Sequence, residues 1–141
     1  MNHHQELILP KLHYKLIEFA RSLDCTWIGA VYVDAKPHCK IWDCHNNVLN
    51  YTTWYGGERV LGYYFLQHAH MDHMIAILHS VVKTTTGNLI DITPFDDQRE
   101  YNIFAICKNQ TPDYTCQEIS SYKIGDAKMD VTDESFTGFS L

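Results

Sequence analysis

Apolar positions recur along this chain with two different periods, and the switches between them mark out the elements. Pro10 suits the first turn of a helix, and Leu12, Leu16, Ile17, Phe19, Ala20 and Leu23 then return at helical spacing. That spacing predicts a helix with one buried face to about residue 23. Thr26 to Val33, TWIGAVYV, is dense in β-branched and aromatic residues and predicts a buried strand. Asp34 to Asp43 has mixed polarity and contains Pro37, as a loop would. Cys44 to Tyr55, CHNNVLNYTTWY, predicts a second helix with Val48, Leu49 and either Tyr51 or Thr52 inward, closed by Gly56-Gly57. Its helix propensity is poor, so packing must hold it. Glu58 to Gln67 and Met74 to Lys83 predict strands on either side of a polar link, His68 to His73, and Tyr101 to Cys107 predicts another. Residues 1–8 read as a loose lead-in, and residues 126–141 as a surface strand or a flexible acidic tail.

Between these strands, His79 to Phe95 predicts a β-hairpin. His79-Ser-Val-Val-Lys and Leu89-Ile-Asp-Ile-Thr both alternate, with Thr84-Thr-Thr-Gly-Asn88 between them as a turn in which Gly87 can take positive φ. Loop length decides the faces. With Thr85-Thr86-Gly87 as a three-residue loop, Thr84 faces Asn88, Asp91 faces Val81 and His79 faces Thr93. His79 and Asp91 then share a face, a diagonal pair about 7–8 Å apart at the backbone. A two-residue loop places them on opposite faces. Pro94 stops the second strand.

The order helix, strand, helix, then antiparallel meander is an α+β layout. It has a helix carrying Cys44 packed on an antiparallel sheet of about five strands. The 141 residues suit a single domain, with its core at about residues 10–107 and residues 108–141 peripheral. Hydrophobic residues make up 45%, enough to cover more than half of the unfolded surface. The formal net charge of −6, without a basic run, argues against binding nucleic acid through a phosphate-neutralising patch. MNHHQELILPKL lacks the cationic start of a signal peptide, and no window has a membrane span's apolar length. Five unevenly spaced cysteines (Cys25, Cys39, Cys44, Cys107 and Cys116) fit a reduced, cytoplasmic protein better than a disulfide scaffold.

Cys44 stands where a helix begins, and a helix N-terminus supplies partial positive charge and free N–H groups. Both lower a thiol pKa and can hold an oxyanion. A thiolate there, a histidine on a facing strand and a carboxylate orienting it make a hydrolase arrangement. Cys44 is the candidate nucleophile, His79 the base and acid, and Asp91 the orienting group. Trp42, just before the helix, is a candidate wall of a substrate groove. Asn47, one turn after Cys44, is a cap or polar wall, and His45 is a further candidate for binding substrate. Each has a plainer reading: Cys44 as a small buried hydrophobe, His79 as a satisfied strand histidine, Asp91 as an edge carboxylate in water. Cys39 is the rival nucleophile, held in the loop by Pro37 and Lys40.

The run C…H-x-V…G-x-L-x-D-I-T-P resembles the transglutaminase-like branch of the papain-like cysteine proteins. The matching pieces are Cys44-His45 with Asn47-Val48, Gly62-Tyr63, His79 to Val81 and Gly87 to Pro94, within roughly residues 37–95. The CHxNV, GGE-x-V-x-G and H-x-V…DITP combination also resembles small uncharacterised bacterial and phage proteins. The resemblance implies a papain-like core in which Cys opens a helix and His and Asp lie on consecutive strands. It further implies thiol-dependent acyl transfer of amidase, protease, deamidase or transglutaminase type on a protein or peptide, without a cofactor. The chain departs from that pattern where His45 and Ser80 stand beside the Cys and His, since aromatics are usual there.

Two other classes remain open. One is a non-catalytic protein-binding module on the same fold. The other is a metal-dependent hydrolase using His68-Ala-His70-Met-Asp72-His73, whose HxHxDH spelling is read as a coincidental polar link because no later ligands follow. His38, Cys39, Cys44 and His45 lack the CxxC pairs of a structural zinc site, so no metal ligand is assigned.

Overall fold

Residues 7–8, 14–68, 73–111, 119–123 and 138–141 are described by the computed structural model. The elements are β1 (Leu7–Ile8), α1 (Tyr14–Ser22), β2 (Cys25–Val33), α2 (Cys44–Tyr55), β3 (Glu58–His68), β4 (His73–Lys83), β5 (Leu89–Asp91), β6 (Tyr101–Cys107), β7 (Ile119–Lys123) and β8 (Phe139–Ser140).

The β4–β5 hairpin has the expected register. Val82 pairs with Ile90 and Lys83 with Leu89. The Thr84 N–H bonds the Asn88 carbonyl at 2.8 Å, and Gly87 turns at φ 92. The loop is therefore Thr85-Thr86-Gly87, and Asp91 falls on the face of Val81 and His79. β5 ends at Asp91, three residues before Pro94, and its other edge is taken by β2 in a parallel pairing of Tyr32 with Ile90 and Val33 with Asp91.

That parallel pair changes the architecture. The sheet runs β1-β3-β6-β2-β5-β4-β7, with β8 on β2, and β3 also pairs with β4. Five strands therefore close into a ring, β3-β6-β2-β5-β4 and back to β3, instead of the expected meander. The sheet is mostly antiparallel and has eight strands among the described residues. Alternation gives the ring two faces. Val31, Val60, Tyr64, Leu66, Val81 and Phe104 pack together inside it. Ile28, Leu61, Phe65, Ala76, Leu78 and Ile103 point outward under α1.

α1 buries Leu16, Phe19 and Ala20 at the expected spacing, and Phe19 meets the edge of Phe65 at 5.5 Å. Leu12 and Pro10 lie outside the described residues. α2 has the expected bounds but presents Cys44, Asn47 and Val48 inward, whereas Leu49 is half exposed. The correction for Leu49 is one of helix phase: Val48 seats between Val82 of β4 and Ile92, which turns the next position to solvent. Full burial of Val48 contributes about 1.5 kcal/mol, enough to offset two or three poor helix formers. The supposed lead-in supplies β1, which pairs with the end of β3. His68 and His73 end β3 and start β4, so the polar link is shorter than expected. Residues 69–72, with His70 and Asp72 of the HxHxDH run, lie outside the described residues, as do Cys116 and residues 124–137.

Candidate active site

Cys44, His79 and Asp91 meet at one mouth of the ring. Strand alternation turns His79 inward from β4, and the hairpin register brings Asp91 to the same face. The His79 Nε2 bonds Asp91 Oδ2 at 2.7 Å, with both side chains almost fully buried. Nε2 being taken, Nδ1 is the ring nitrogen left to face the thiol, and His79 is close enough to Cys44 to favour its thiolate. α2 delivers Cys44 at its first position, packed over β4. Its N-cap, Asp43, makes no side-chain cap bond, so that side chain does not satisfy the N–H groups of the first turn.

The electrostatics favour an ion pair. Burial pushes the Cys44 thiol up, but the neighbouring His45 and His79 rings outweigh that and hold it at about 6. Burial acts against the charged His79, yet the Asp91 charge and hydrogen bond, with the contact to Cys44, raise it to about 10. Between those values Cys44 is a thiolate and His79 an imidazolium. Two other described cysteines go the opposite way. A hydrogen bond to Cys107 and then burial raise Cys25, and burial raises Cys39. Cys44 is thus the thiol of this set whose pKa is lowered, and that of its rival Cys39 is raised.

Asp91 is held from three directions. Besides His79 it accepts the Thr93 N–H on Oδ1 at 3.2 Å and the Asn102 side-chain amide on Oδ2 at 3.3 Å. Asn102 is 1% exposed, and its Oδ1 accepts from Arg99 Nη1 at 2.9 Å. An ionised carboxylate only accepts and a guanidinium only donates, so this pair fixes which way the amide points. Arg99 is itself pinned by Asp97 through Nε (2.8 Å) and Nη2 (2.6 Å), with its guanidinium 4.0 Å from the Phe95 ring centroid. Asn102→Ala leaves Asp91 and Arg99 each one partner short. It is expected to cost about 2 kcal/mol, read from the urea midpoint; a change under about 0.5 kcal/mol would mean water replaces the amide at no cost.

The thiol and His79 open onto a cavity of about 260 Å³ walled by Ile41, Trp42, Tyr64, Leu66, Ile77 and Phe95, with Arg99 at its edge. Trp42 is there as expected, 71% exposed, with its backbone in the left-handed region at φ 67. Such a conformation is uncommon for a bulky residue and marks local strain. The other two candidates for binding substrate are placed differently. Asn47 is buried, donates to the Lys40 carbonyl (2.8 Å) and Thr93 Oγ1 (3.0 Å) and accepts from the Lys40 N–H (3.1 Å). It clamps the loop before α2 to the segment after β5 and does not face the thiol's cavity. Spacing from Cys44 alone left a cap and a polar wall both open; these three bonds tie it to the loop before the helix and to Thr93. His45 also lies outside the cavity lining; its Nδ1 pairs with Ser80 Oγ at 2.6 Å and its ring supports the thiolate.

Asn102 and Arg99 were missed from the sequence. The signal for Asn102 was present: an amide on the same face as Phe104 and Ile106 in an apolar strand needs a buried partner. Arg99 sits in a charged segment that reads as solvated surface. Among the described residues no cluster of three or more His, Cys, Asp or Glu side chains is placed to hold a metal, and no helix is long and apolar enough to cross a membrane. Comparison with protein-family models, curated proteins and solved structures found no match.

Proposed function

We propose that this protein performs thiol-dependent acyl transfer on a protein or peptide amide or ester, through Cys44, His79 and Asp91. The observation that carries the reading is the buried 2.7 Å pairing of His79 with Asp91 beside a thiol held at about 6. The Cys44 thiolate attacks the carbonyl carbon, and the π pair moves to oxygen. When the tetrahedral centre collapses, the C=O re-forms and the leaving group departs with the proton held by His79. Water or an amine then attacks the thioester, giving up its proton to His79; the C–S bond breaks, releasing the acid or amide and restoring the thiolate–imidazolium pair. The papain-like, transglutaminase-like core supplies the same chain order, and the resemblance of residues 37–95 supports this reading. A single cavity of about 260 Å³ with mostly apolar walls suits one side chain or short acyl group.

A second reading, a protein-binding module on the same fold, is favoured by the exposed aromatic end of α2, where Trp54 is 82% and Tyr55 70% exposed. The rate of iodoacetamide alkylation of Cys44, followed by peptide mass mapping against pH, separates the two. Above about pH 6 the thiol is ionised, and protonation below that value slows the reaction. At pH 6 the expected rate is about tenfold that of an ordinary thiol, after allowance for the weaker nucleophilicity of a more acidic sulfur. A midpoint at pH 8 or above removes the acyl-transfer reading.

A further inference from the structure

Tyr64 projects from β3 into the ring mouth on the His79 side of the sheet, because Gly62 pairs with His79 and Tyr64 lies two residues on. It is 3% exposed and lines the same cavity as Cys44 and His79. Its ring is fixed edge-on by two neighbours, His79 at 5.0 Å and Phe95 at 5.7 Å between centroids. Its hydroxyl, however, has no hydrogen-bond partner among the described residues, and it is not sealed from the cavity as a fully covered polar atom would be. A buried tyrosine hydroxyl normally finds a partner, and leaving one unmet is unfavourable. A phenol open to the reacting thiol's cavity is therefore a donor waiting for an acceptor.

We infer that the Tyr64 hydroxyl is a catalytic hydrogen-bond donor to the substrate's carbonyl oxygen, completing an oxyanion site with the uncapped N–H groups that begin α2. This rests on the acyl-transfer reading and adds a residue to it. As the Cys44 S–C bond forms, the carbonyl π pair becomes an oxyanion, and the Tyr64 O–H and the helix N–H groups take up its charge without transferring a proton. When the oxyanion collapses the donors relax and the leaving group takes its proton from His79. The phenol must stay protonated for this. Burial raises its pKa, with the Arg99 charge opposing and the Cys44 charge reinforcing, to about 12. It is a neutral donor wherever the thiolate exists.

Two reagents separate this role from a structural one. p-Nitrophenyl acetate acylates the thiol through an oxyanion, whereas iodoacetamide alkylates it by displacement at carbon with none. Tyr64→Phe keeps the ring and its packing and removes only the hydroxyl. The expected result is an acylation rate of Cys44 lowered about tenfold or more, an iodoacetamide rate and pH midpoint unchanged within about twofold, and an unaltered thermal melt. Acylation unchanged within twofold overturns the inference. Both rates falling together also overturns it, because Tyr64 then acts on the thiolate or its placement. If wild-type Cys44 reacts with neither reagent faster than a free thiol, the acyl-transfer reading itself fails, and Tyr64 has no role to fill.

Discussion

Asp91→Ala is expected to slow iodoacetamide alkylation of Cys44 at pH 7 about three- to sixfold and to lower stability by about 3–5 kcal/mol. Asp91 accepts hydrogen bonds from the His79 ring, the Asn102 amide and the Thr93 backbone N–H while 1% exposed. Removing it strands all three donors where water does not readily reach, and the Asp91 charge is the chief cause of the raised His79 pKa. Without that charge, burial prevails and His79 becomes neutral near pH 7. Cys44 then loses a cationic partner, and its pKa climbs from about 6 toward 9.0. At pH 7 the thiolate changes from the main form to a minor one. The measurements are the alkylation rate across pH 5–9 and the urea midpoint. An unchanged alkylation profile would mean that Asp91 is structural and that the thiolate owes its stability to His45 and the helix.

Gly62→Ala is expected to destabilise the fold by about 3 kcal/mol or more, at the top of the range for overpacked sites. The cause is space, not backbone angle. β6 crosses β3 here, Gly62 pairing with Ile106 and Tyr63 with Ala105. A Cβ on Gly62 would drive into the Ala105 carbonyl oxygen and the Phe104 ring. The carbonyl belongs to a strand fixed on both sides, so it cannot step aside as the tip of a long side chain could. The damage centres on the β3–β6 seam that closes the ring, directly beneath His79. Hydrogen exchange is expected to quicken in β3 and β6 before α1, and a melting temperature within about 2 °C of wild type would contradict the account.

The hairpin was legible because its information is local. Alternation assigns the faces, Thr85-Thr86-Gly87 sets the register, and together they bring His79 and Asp91 to one side without any reference to the rest of the chain. The N-terminus of α2 was legible for a similar reason, since the residues on either side of Cys44 change from loop to helix composition within a few positions. Leu49 shows where this stops. Composition marks a helix, but its rotation depends on which side chain finds a gap in the sheet, and Val48 takes the place between Val82 and Ile92. For Asn47, spacing left a cap and a polar wall both open, and the helix phase turned its amide toward Lys40 and Thr93.

The sequence by itself determined the α+β class, the bounds of α2, the hairpin loop and the shared face of His79 and Asp91. Each follows from short-range periodicity, turn chemistry or helix-end composition. Only the tertiary structure decided that the sheet closes into a ring through a parallel β2–β5 pair and a β3–β6 seam. It alone placed Cys44 near His79, held Asp91 through Asn102, itself bonded to Arg99, and set Tyr64 in the wall of the thiol's cavity. Those are contacts between residues tens of positions apart, set by how strands compete for the same edges. No local pattern encodes the outcome of that competition.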